Sequence, residues 1–145
     1  MARQVVPVIC CGPMQSKLIR NRERAAQLLA FDNMKYGKCR PTDIDLAIDW
    51  QGRTFAFVEL KGKGCPLELG QKLHLQHLVN GLRAGGKVAY AIHAHHDTKN
   101  AKHDVMVADA LVWSVYDGKK WNRELSPITV DEKLAEIHDL HLNFS

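Results

Sequence analysis

Alternation between residues 43 and 61 is the feature that most narrows what this chain folds into. Ile44, Leu46 and Ile48 are apolar, and Asp43, Asp45, Ala47 and Asp49 stand between them. A period of two marks a strand with one buried face. Gln51-Gly52 reads as a turn, and Thr-Phe-Ala-Phe-Val-Glu-Leu over 54–60 reads as the returning strand, being rich in aromatic and β-branched residues. A hairpin at the centre of a sheet is the expectation.

The rest of the 145 residues supplies helices for that sheet. Leu18, Ala25, Leu28, Leu29 and Phe31 form a helical stripe over 16–36, opened by Ser16 and ended by Gly37. Pro66 suits the first turn of a second helix reaching about Arg83, with Leu69, Leu73, Leu75, Leu78, Val79 and Leu82 on its buried side. Residues 87–93 read as a buried strand, 95–102 as a polar loop, and 105–107 and 111–116 as further strands. Asp117-Gly118 reads as a tight hairpin turn. Thr129 and Glu132 form a capping-box pattern that opens a last helix to about His138. These elements predict an α/β fold, a mixed sheet flanked by helices, in a single domain over 1–145. Its core lies at about 16–94 and a C-terminal extension at about 104–145.

Composition sets the class. The chain is 46% hydrophobic and 25% charged, with no low-complexity tract. Twenty Lys+Arg against sixteen Asp+Glu give a net charge of +4, which is compatible with a nucleic-acid partner. Cys10, Cys11, Cys39 and Cys65 form no Cys-x-x-Cys pair, so a structural zinc site has little support. No stretch reads as a secretory signal or as a membrane span, and free thiols in a reducing, cytoplasmic setting are the expectation.

The hairpin carries charges where strands disfavour them. Glu59 and Lys61 point to one face with Leu60 opposed, and Asp43 and Asp45 share a face of their own strand. Pairing across the short turn brings one of these aspartates near Glu59, in a register the residues leave open. Carboxylates brought together repel, and a hard divalent cation removes the conflict. Mg²⁺ held this way lowers the pKa of a bound water and stabilises charge on a phosphate. Lys61 would then bind the phosphate, orient the water or serve as base. The plainer alternative is a solvated acidic ribbon with a cross-strand Glu–Lys pair. The flanking Phe55, Phe57, Val58, Ile44, Leu46 and Ile48 favour a site at the end of a core hairpin instead.

Pro41-Thr42-Asp43-Ile44-Asp45-Leu46-Ala47-Ile48, followed by Phe57-Val58-Glu59-Leu60-Lys61, resembles the PD-(D/E)xK nuclease superfamily. The resemblance covers roughly residues 16–94 by order of elements, with two short specific motifs. It implies a restriction-endonuclease-like fold, similar to Holliday-junction resolvases and VRR-Nuc-type enzymes. It implies a Mg²⁺-dependent endonuclease, with Mn²⁺ as substitute, acting on duplex or branched DNA. By resemblance Asp45, Glu59 and the Leu60 carbonyl bind the metal, with Asp43 as auxiliary, and Lys61 and Gln71 complete the catalytic set. Glu23 could add a metal ligand. Arg20, Arg24, Lys63 and Lys72 are candidates for DNA backbone contacts, and a homodimer would present two sites. The rival readings are an inactive nuclease-like binding or assembly protein, and a metal-dependent RNase. One departure is the strand such proteins place between the first helix and the Asp strand: only Lys38-Cys39-Arg40 is available, unless residues 5–11 take its place.

Other signals weigh less. His93, His95 and His96 with Asp97 resemble metal ligands, but a polar or DNA-contacting loop accounts for them. The pairs His74/His77 and His138/His141 read as solvated or partly buried helix residues. Trp113, Tyr116 and Trp121 read as core or dimer surface, with base stacking as a lesser alternative. Asp49 reads as a solvent-facing turn residue.

Overall fold

The period-two segment forms the first strand, β1 (Leu46–Trp50), in a computed structural model that describes residues 33–144. Its residues alternate half-buried and exposed, as an edge strand with one covered face should. Gln51 and Gly52 turn the chain with φ of 56° and 67°, and the Arg53 N–H donates to the Trp50 carbonyl at 3.1 Å. Two successive positive φ values match the twist of a hairpin, and glycine accepts one of them without strain. Asp49 Oδ1 accepts from the Gly52 N–H at 2.6 Å, so Asp49 serves the turn and stays exposed.

β2 (Thr54–Gly62) returns antiparallel to β1, with Leu46 opposite Val58 and Trp50 opposite Thr54. α1 (Leu69–Ala84) then crosses over to β3 (Val88–His96), which lies parallel to β2 with Glu59 beside His93 and Lys61 beside His95. A 3-10 turn (Val107–Asp109) leads into β4 (Leu111–Tyr116) and β5 (Trp121–Arg123), both antiparallel to their neighbours. The result is a five-stranded mixed sheet in the order β1-β2-β3-β4-β5. α2 (Val130–Asn143) closes the described chain.

Strand alternation assigns each helix a face. Ala56, Val58, Ile92 and Ala94 pack with Val130 and Ile137 of α2. Phe57, Ala89 and Ala91 pack with Leu75 and Val79 of α1. The three layers agree with the expected α/β fold and with a restriction-endonuclease-like arrangement of strands and crossover helix.

Several boundaries differ from expectation. β2 runs to Gly62 and β3 to His96, because each strand supplies the other's backbone partners to the end of the pair. His95 therefore belongs to a strand, not a loop. α1 begins at Leu69: the Cys65 N–H closes a turn on the Gly62 carbonyl at 2.9 Å, which keeps Pro66 outside the helix. Residues 105–107 form no strand, and the 3-10 turn begins at Val107 instead. In the last hairpin the Asp117 N–H meets the Lys120 carbonyl at 3.3 Å across Gly118-Lys119. The Thr129–Glu132 capping box is present in full, and α2 continues past His138 to Asn143.

The chain divides between Pro41 and Thr42 into two compact units, the second holding all of these elements. In the first, Tyr36 and Cys39 exchange backbone hydrogen bonds of 3.0 and 3.1 Å around Gly37. The helix expected over 16–36 therefore does not include its last residues, and the remainder lies outside the described residues. So do Arg20, Glu23 and Arg24. No helix among the described residues is long and apolar enough to cross a membrane.

Candidate active site

Glu59 and Lys61 lie near the end of β2, beside the end of the parallel strand β3. The carboxyl ends of parallel strands are where open α/β sheets place their ligands. Alternation turns both side chains to the α1 face, in line with Phe57. Glu59 is only 5% exposed. Its Oε1 lies 3.6 Å from Lys61 Nζ and accepts from Gln71 Nε2 at 2.6 Å. Gln71 stands in the first turn of α1, so the crossover that makes β2 and β3 parallel also delivers the amide to the carboxylate.

The hairpin register separates the two aspartates by position. Continued one residue past Leu46–Val58, it sets Asp45 across from Glu59. Asp45 Oδ2 accepts from the Leu60 N–H at 2.7 Å, standing where a further β1 carbonyl would otherwise be. The N–H and C=O of one strand residue point to the same edge, so the Leu60 carbonyl also faces the β1 side. Asp43 is exposed and acts on Glu59 more weakly than Asp45 does.

This setting is costly for a charged Glu59. Burial pushes its carboxyl above the ordinary range, Asp45 adds to the push, Lys61 opposes it, and Asp43 adds again. The Gln71 amide oxygen is buried with no hydrogen-bond partner among the described residues. An orphaned acceptor beside two crowded carboxylates fits a hydrated divalent cation, whose bound waters are donors. Asp45, Glu59 and the Leu60 carbonyl are the groups that would hold it. Among the described residues no three His, Cys, Asp or Glu side chains gather closely enough to hold an ion by themselves. A hydrated Mg²⁺ draws on one or two carboxylates together with waters and phosphate oxygens, and needs no such cluster.

Lys63 and Lys72 are both exposed, Lys63 just after β2 and Lys72 in the first part of α1. Next to the carboxylates stand two histidines. His93 is 4% exposed, and burial, with His95 beside it, holds its imidazole down to about 4. His95 Nε2 lies 3.0 Å from the Cys65 carbonyl and 3.1 Å from His93 Nε2. A carbonyl only accepts, so a ring N–H must point to it, and the Cys65 backbone hydrogen-bonds His93 as well as His95. This arrangement ties the loop after Lys61 to β3.

The aromatic residues separate. Tyr116 is buried with Trp121 against it at 5.4 Å between centroids, as a core pair. Trp113 is 41% exposed and does not belong to the core. The ladder shifts register between His93 and Ala94, so Trp113 is the extra residue of a bulge, and bulges re-aim side chains. Of the helix histidines, His141 is buried and meets Thr54 Oγ1 at 2.9 Å, whereas His138 and His77 are exposed. Sequence reasoning gave Trp113 a ligand-stacking role only as a lesser alternative to core or dimer surface, and did not single out Arg123. The spacing of His93 and His95 was a signal for their shared face; nothing in the residues marks the bulge.

Comparison with family models, with curated proteins and with solved structures finds no match for this chain.

Proposed function

We infer that this chain is a Mg²⁺-dependent nuclease of the PD-(D/E)xK kind that hydrolyses DNA phosphodiester bonds. The observation that carries the reading is the convergence of Asp45, Glu59, Lys61 and Gln71 at the end of a parallel strand pair. Asp45, Glu59 and the Leu60 carbonyl bind Mg²⁺, or Mn²⁺ in its place. Bound there, the ion supplies Lewis acidity to a water and to a phosphate oxygen. Lys61 positions the attacking water or the phosphate, within reach of Glu59. Gln71 holds the Glu59 carboxylate in orientation. Lys63 and Lys72 contact the DNA backbone, and cutting both strands of a duplex calls for two sites and hence a homodimer.

The test is incubation with plasmid, single-stranded DNA, a four-way junction and RNA, in Mg²⁺, Mn²⁺ or EDTA. Wild type cuts at least one DNA in metal and none in EDTA, and Lys61→Ala and Glu59→Ala lose about a hundredfold or more. Equal cutting by all three proteins, or cutting of RNA alone, contradicts the reading.

A further inference from the structure

The sheet continues the site face beyond Lys61. His95 on β3 stacks on the Trp113 ring with centroids 4.9 Å apart and planes at 28°. The Arg123 guanidinium, on β5, lies over the same indole at 3.0 Å from its centroid. Arg123 is held in place, since Nη1 donates to the Trp113 carbonyl at 2.9 Å and to the Glu124 carbonyl at 3.0 Å. Neither hydrophobic core includes this stack. It borders a cavity of about 730 Å³, whose wall runs from Lys63 and His95 to Trp113, Arg123 and Pro127.

We propose that this stack and cavity bind an unpaired nucleotide of the strand whose phosphate lies at Lys61. The proposal rests on the nuclease reading and narrows its substrate to nucleic acid with a single-stranded segment beside the cut, such as a flap, gap or branch. Neighbouring strands lie about 4.8 Å apart, so β4 is about 10 Å from β2, within reach of a flanking nucleotide. Planar guanidinium and aromatic groups stack on any base, and a base inside a duplex has both faces covered by its stacked neighbours. The wall chemistry separates base from phosphate. Asp97 and Asp109 line the cavity, where carboxylates repel phosphate but accept from the amino and imide edges of bases. Glu124 is paired with Lys133 at 3.1 Å. Lys63, next to the carboxylate–lysine site, is the group placed to take the phosphate.

Fluorescence anisotropy in EDTA measures this without cleavage, using a labelled blunt duplex and the same duplex with a single-stranded tail. The wild type binds the tailed duplex more tightly. Trp113→Ala weakens tailed binding about tenfold and leaves blunt binding unchanged, and Trp113→Phe keeps most of the preference. Arg123→Lys keeps the charge, loses the planar group and shows the same tail-specific loss, so the test survives if Trp113→Ala fails to fold. Equal affinity for the two duplexes, or equal losses on both, overturns the subsite while DNA cleavage by the wild type leaves the nuclease reading standing. Binding to neither duplex together with no cleavage of any nucleic acid overturns both.

Discussion

Gln71 shows how a single amide ties the fold to the site. It donates to Glu59 and leaves its own oxygen buried without a partner. Gln71→Ala removes that restraint, and cleavage or metal affinity falls roughly 10- to 100-fold, as for other groups that orient a metal ligand. Metal titrations followed by activity check this, and unchanged values would leave Gln71 a packing residue. His93 makes a prediction in pH. Its folded pKa is about 4 against 6.5 when unfolded, so below pH 6.5 the unfolded chain holds the extra proton. The stability it contributes is complete above pH 6.5 and is lost as pH falls toward 4, at up to about 1.4 kcal/mol per pH unit. Urea unfolding between pH 4 and 7.5 measures this. His93→Gln flattens the curve in that window, whereas the same slope in both proteins contradicts the assignment.

Elements differ in how far their residues announced them. The start of α2 is announced by Thr129 and Glu132, whose side chains satisfy each other's backbone N–H groups, whereas its end lies beyond the expected His138, at Asn143. Thr129→Ala costs about 1 kcal/mol in urea unfolding. Activity per folded molecule is unchanged, since Thr129 lies outside the site; a matching loss of cleavage would place α2 closer to the chemistry. The β1–β2 hairpin was equally legible, because Gln51-Gly52 and the alternation of Ile44, Leu46 and Ile48 are local signals. Glu59 and Lys61 followed from the same parity. The choice of Asp45 over Asp43 did not, because register depends on the partner strand. Other features were invisible for the same reason. Extension of β3 through His95 is set by pairing with β2, and the bulge at Trp113 is a mismatch between two strands that neither strand encodes alone.

At the scale of the whole molecule, the mixed sheet brings chemistry from distant parts of the chain onto one face. The hairpin supplies Asp45, Glu59 and Lys61, the crossover helix supplies Gln71, and the later strands supply His95, Trp113 and Arg123. Two buried or crowded carboxylates make this face unfavourable by itself at neutral pH, since the raised pKa of Glu59 means its ionisation opposes folding. A cation bound between them would offset that cost, which would link binding to stability. Mn²⁺ titration followed by calorimetry, with the thermal midpoint read alongside, tests this most directly. Wild type binds an ion and gains thermal stability, whereas the double variant Asp45→Asn, Glu59→Gln stays folded, gains none and binds no ion at that site. Equal Mn²⁺ binding and equal stabilisation in the two proteins would contradict the assignment of these carboxylates as the metal ligands.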